Sequence, residues 1–156
     1  PIPGGTGRYT SELLRALAAT AGMGERVTGW YAPGVGRLAR ARQPLLAELW
    51  RHGVGPAPAK ADVVFAPTVL APPPRGRPLI VAIHDAVPWT HPRTLTPRGA
   101  RWHRAMGERI AARADVVLTP TAAVAQVDAL WNDSWTTACR RGPGVFPAPA
   151  PAPSSA

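Results

Sequence analysis

Two groups of residues have the types and spacing to act on a phosphorylated or hydroxylated ligand. The first is Gly4-Gly5-Thr6-Gly7-Arg8. Glycines let backbone amides come close to a phosphate, and a helix that starts there adds positive potential. Arg8 would add a guanidinium fork beside Gly5 and Gly7. A Walker loop is ruled out, because Gly7-Arg8-Tyr9 stands where Gly-Lys-Ser/Thr is required. A dinucleotide fingerprint would need glycine where Thr10 stands, and Glu25 falls before the second expected strand instead of at its end. A plain turn is the competing reading. The second group is Ile83-His84-Asp85, which closes an apolar run. Ligands bind outside the carboxyl ends of strands in open α/β sheets. His84 there can donate to a sugar hydroxyl or phosphate, and Asp85 can orient a polar group. The competing reading is a strand-end pair satisfied by its own backbone. His91 and His103 are read as surface residues. No Cys/His spacing makes a zinc site and no Gly-x-Ser-x-Gly elbow occurs, so no metal is expected.

The elements that would hold these groups follow from periodicity. Leu13, Leu14, Leu17 and Ala18 recur at helical spacing, which predicts a helix from the glycine loop to near Gly22. Residues 26–32 read as a strand stopped by Pro33-Gly34, and residues 37–51 as a helix. The apolar runs at 62–66, 79–83 and 116–118 read as parallel strands buried on both faces. Between the last two, Pro97 opens a helix reaching Ala114, with Trp102, Met106 and Ile110 as its apolar stripe. Arg98, Arg101, Arg104, Arg109 and Arg113 occupy its other face. Thr121 can cap a short helix through Leu130. This alternation predicts an α/β fold: a Rossmann-like, doubly wound parallel sheet. It is incomplete, since the strand that should precede the glycine loop is absent.

Composition narrows the function classes. The 156 residues suit one domain, and 46% hydrophobic content is ordinary for a globular chain. The net charge of +9 rests almost wholly on arginine, Lys60 being the only lysine. An anionic partner is the functional reading. A chain rich in Ala, Arg, Gly and Pro, as GC-rich codons give, is the other. The arginines are scattered and no recognition motif is present, which argues against nucleic acid as a partner. A non-catalytic basic module on nucleic acid or anionic surfaces remains the alternative function. The single cysteine, Cys139, excludes an intramolecular disulfide and fits a cytoplasmic location. No run approaches the ~20 apolar residues that span a bilayer.

Four segments together resemble a known family. Gly4-Gly5-Thr6-Gly7-Arg8-Tyr9 with Glu12-Leu13-Leu14 resembles the Gly-Gly-x-Gly-Arg-Tyr loop of family-four glycosyltransferases of GT-B architecture. Asp62-Val63-Val64-Phe65-Ala66-Pro67, Ile83-His84-Asp85 and Ala114-Asp115-Val116-Val117-Leu118-Thr119 resemble, in order, that family's strand before the Pro-rich loop, its Ile-His-Asp segment and its last N-domain strand. The resemblance covers roughly residues 3–130.

It implies the acceptor-side half of a retaining hexosyltransferase that moves a hexose from a nucleotide-sugar donor to a glycan or lipid-linked acceptor, without metal or other cofactor. Gly5, Gly7 and Arg8 would lie by the donor phosphate, and His84 by the reacting centre as the catalytic residue. A cytoplasmic location with a peripheral contact at the inner face of the membrane goes with that reading. The expected organisation is this domain over residues 1–130 and a Pro/Ala-rich disordered tail over 131–156, a natural linker or a tail read out of frame. The second GT-B domain, which carries most donor contacts, is not in the sequence. Arg8 alone does not supply the positive groups a leaving diphosphate needs. Negligible transfer by this chain alone is therefore expected.

Overall fold

Three runs of β-branched and aliphatic residues make the sheet at the centre of the fold. The computed structural model describes residues 4–32 and 39–125. Strands β1 (Val64–Ala66), β2 (Leu79–Ala82) and β3 (Val116–Leu118) pair in parallel in that order. Val64 lies opposite Leu79, and Val81 opposite Val117, so side chains alternate in rows across the sheet. Val64, Ala66, Leu79, Val81 and Val117 are buried and pack with Ile110, Ala111 and Ala114. In the opposite row Ala82 is buried, but Phe65, Ile80, Val116 and Leu118 are only half-buried. The strands are thus fully buried on one face, not on both as the apolar runs predict. The period-2 alternation was hidden because both rows are apolar.

The helices are α1 (Gly5–Thr20), α2 (Ala39–Arg51), the single turn α3 (Val87–Thr90), α4 (Pro97–Arg113) and the single turn α5 (Ala122–Ala125). A short 3₁₀ turn, Pro92–Thr94, joins α3 to α4. The Thr96 hydroxyl accepts from the Gly99 amide at 3.1 Å, and Pro97 takes the first helical position, where its missing N–H costs nothing. Met106 and Ile110 are fully buried, so the stripe read from the sequence faces the core. In α5 the Thr121 hydroxyl caps the Val124 amide at 3.3 Å, as expected.

Two expectations are overturned. The glycine segment is no loop: Gly5, Thr6, Gly7 and Arg8 form the first turn of α1, and Gly4 is its N-cap residue. Glycine costs a helix only about 1 kcal/mol per residue, which an adjoining stretch of leucine and alanine offsets. Residues 26–32 form no strand. They have no ladder partner among the described residues, and Trp30 stacks on Trp50 with ring centroids 6.3 Å apart. The stop at Pro33-Gly34, the start of the second helix at 37–38, residues 126–130 of the last helix and the tail at 131–156 lie outside the described residues.

Candidate functional site

The carboxyl end of β2 leads straight into the candidate residues. Ile83 continues the strand by donating its amide to the Leu118 carbonyl at 2.9 Å. His84 follows, half-buried, with Nε2 2.8 Å from the Pro67 carbonyl, which lies just past the end of β1. A carbonyl oxygen only accepts, so Nε2 carries the proton and donates. Nδ1 is left as the lone-pair atom of the neutral ring, with no hydrogen bond among the described residues. The proton expected for a ligand is therefore spent on the protein. The neutral ring offers a ligand an acceptor, and only the protonated ring offers a second donor.

Tyr9 joins this strand tip to the glycine turn. Its ring meets His84 edge-on, with centroids 4.6 Å apart and planes at 82°. Tyr9 stands one turn beyond Gly5, so the start of α1 is brought to the end of β2. Gly5 is exposed, with nothing within 4 Å of where a Cβ would stand. Neither packing nor backbone strain demands glycine at that position. Arg8 is exposed; its amide donates to the Gly4 carbonyl at 3.0 Å, while its guanidinium has no hydrogen bond or ion pair among the described residues. The first amides of any helix lack intrahelical partners, so this end combines amide donors, a free guanidinium and the imidazole of His84.

Asp85 is committed locally. Its Oδ1 accepts from the Val87 amide at 3.0 Å and so starts α3. The local reading explains one of its oxygens, while the side chain stays exposed. His91 is exposed as expected. His103 is not a surface residue: it is half-buried, its Nδ1 lies 2.8 Å from the Gly99 carbonyl, and Trp102 packs edge-on against it. The two residues that sequence reasoning missed here are Tyr9 and Pro67. Tyr9 stood inside the glycine motif, but nothing in its spacing indicated a ring partner 75 positions away.

Among the described residues, no group of three or more His, Cys, Asp or Glu is placed to hold a metal, and no helix is long and apolar enough to cross a membrane.

The chain is thus a mixed α/β protein with a small parallel sheet, whose candidate site lies at the carboxyl end of the middle strand. No family model, no curated protein and no solved structure matches it.

Proposed function

We propose that this chain is the acceptor-side half of a retaining, Rossmann-like hexosyltransferase, in which the start of α1 and His84 face the sugar and phosphate of a nucleotide-sugar donor. The observation that carries this reading is the Tyr9–His84 contact, which gathers amide donors and an imidazole at the tip of a parallel strand. Gly5 and Gly7 would approach the donor phosphate, Arg8 would neutralise it, and Nδ1 of His84 would accept from a sugar hydroxyl near the reacting carbon. Asp85 would serve mainly by fixing the turn that follows His84. The acceptor would be a glycan or lipid-linked sugar, reached from the cytoplasmic side with a peripheral membrane contact. No metal is required in this scheme.

Charge development on the leaving diphosphate is the hard part of such a transfer, and preorganised cations are its usual remedy. Arg8 is a single exposed guanidinium, so this half of the site is insufficient by itself. The test is hexose release and transfer from radiolabelled UDP- and GDP-hexoses, run on the chain alone and on the complete product of its gene. The chain alone should show negligible turnover. The complete product should turn over at least one donor, and His84→Ala should lower kcat by about a hundredfold. Enzymatic turnover by the chain alone would overturn the claim of insufficiency. No turnover of any sugar nucleotide by the complete product would overturn the reading itself.

A further inference from the structure

A second concave site lies at the opposite end of the sheet. The turn at residues 74–77 leads into β2 and the last turn of α4 leads into β3, so both sit at the amino ends of the parallel strands. With the carboxyl end of α2 they enclose a cleft of about 520 Å³, lined among others by Arg51, His52, Arg75, Arg109 and Arg113. His84, just past the carboxyl end of β2, takes no part in it.

The charges of this cleft do not balance. Its lining includes no carboxylate. Glu48 stands nearby, but it is ion-paired with Arg51 and lies 3.4 Å from His52 Nε2. That leaves three guanidinia, of Arg75, Arg109 and Arg113, without a counter-charge among the described residues. Arg75 Nη2 donates to the Gly55 carbonyl at 2.9 Å, and half-buried Arg109 reaches the Ala71 carbonyl at 3.4 Å. The Arg113 guanidinium, at the exposed last position of α4, has no hydrogen bond or ion pair among the described residues. Burial and the neighbouring Arg113 cation hold the Arg109 guanidinium below its ordinary pKa.

The backbone around the cleft is also held in unusual conformations. Arg75 has φ +49°, the left-handed region normally left to glycine, and Gly76 follows at +77°. Strained positions of this kind persist where the surrounding structure fixes them, and they cluster at ligand sites. Here the Arg75–Gly55 bond and the Arg77–Pro74 turn bond of 3.0 Å do the fixing. Across the cleft, α2 ends in a Schellman turn: Val54 N–H bonds Leu49 O, Gly53 N–H bonds Trp50 O, and Gly53 has φ +74°.

We propose that this cleft binds a diphosphate-sized anion, whose phosphoryl oxygens are received by Arg75, Arg109 and Arg113. Guanidinium forks match phosphate oxygens in bidentate geometry. Three uncompensated cations suit the charge of a diphosphate, and the volume exceeds what a lone phosphate would fill. The same chemistry is offered by a free diphosphate and by a diphosphate headgroup at a lipid surface.

The experiment titrates inorganic pyrophosphate into the intact chain by calorimetry at about 0.1 M salt, where charges more than ~10 Å apart are largely screened. In parallel, flotation with phosphatidylcholine vesicles containing diacylglycerol pyrophosphate tests the lipid source. Arg113→Gln and Arg75→Gly should each weaken binding by about tenfold. Arg98→Gln removes the same charge from the other end of α4, ~22 Å away, and should change binding by less than about twofold. Arg75→Gly relieves a left-handed residue and loses the exposed bond to the Gly55 carbonyl, two effects that offset, and Arg113 is exposed, so thermal melts of both variants should match the parent, separating binding from folding. Saturable pyrophosphate binding with these effects assigns a free diphosphate. The same effects seen on vesicles alone assign a headgroup. Absence of saturable binding in both arms, or equal weakening by Arg98→Gln, would overturn the proposal.

Discussion

Single side chains set the shape of the region around His84, and Gly107 is the tightest case. A Cβ built on Gly107 would lie 2.5 Å from Trp89 Cζ2 and 3.0 Å from Cη2. Gly107 is buried in the middle of α4, and Trp89 belongs to the turn that begins three residues after His84. Two effects oppose one another in Gly107→Ala. Alanine gains about 1 kcal/mol of helix propensity over glycine. Forcing a methyl into a filled contact costs roughly 1–3 kcal/mol, and an indole ring already half-buried has little room to yield. The clash should win, leaving Gly107→Ala less stable by up to about 2 kcal/mol in urea denaturation. A variant as stable as the parent would show that Trp89 can swing aside. The absence of glycine-demanding geometry at Gly5 makes the opposite case: there the residue type is not explained by folding.

The best-specified element is α4, and it was also the most legible one. Pro97 at its start and an apolar stripe every four residues predict a helix from Pro97 to Ala114, and the helix found is Pro97–Arg113, with Thr96 as its cap. Removing the cap in Thr96→Ala should cost about 1 kcal/mol, read as a lowered melting temperature in circular dichroism, while Thr96→Ser should restore the parent value. If Thr96→Ala melts like the parent, the Gly99 amide has found water as an equal partner. The three strands were legible for a similar reason, as short apolar runs between turn residues. Residues 26–32 were not, because β-propensity reports only fitness for a pleated surface. A strand also needs a free edge beside it, and Trp30 is instead used against Trp50. Of the candidate site, the place of His84 at a strand end was legible. Its bond to Pro67 and its contact with Tyr9 were not, since both depend on how distant segments pack. The arginine cleft was hidden for the same reason: its residues come from segments as far apart as Arg51 and Arg113, and each reads locally as an ordinary solvated charge.

At the scale of the whole molecule, burial is distributed unevenly, and this should govern how the protein opens. Leu79, Val81 and Ile110 are fully buried in the core shared by the sheet and α4, and Met106 of α4 is fully buried too. No residue of α1 is buried, although the helix has 16 residues, and Leu17 on it is 39% exposed. A helix of that length is marginal in water without a packed face. The half-buried row Phe65, Ile80, Val116 and Leu118 likewise gives the sheet one weaker side. Regions with few buried apolar contacts open at low free-energy cost, while core elements open only with the whole fold. Amide hydrogen exchange should therefore split the chain in two. Amides of β2 and the second half of α4 should show the greatest protection, and those of α1 should exchange at least about a hundredfold faster, an opening cost lower by roughly 2.7 kcal/mol. The Tyr9–His84 contact then becomes a measurable latch. If a ligand seats between the start of α1 and the end of β2, adding it should slow exchange in α1 selectively and leave α4 unchanged, because only the loosely held partner has ordering left to gain. Equal protection of α1 and α4 in the free chain would show instead that α1 is fixed by contacts other than apolar burial, and the latch would have no opening to close.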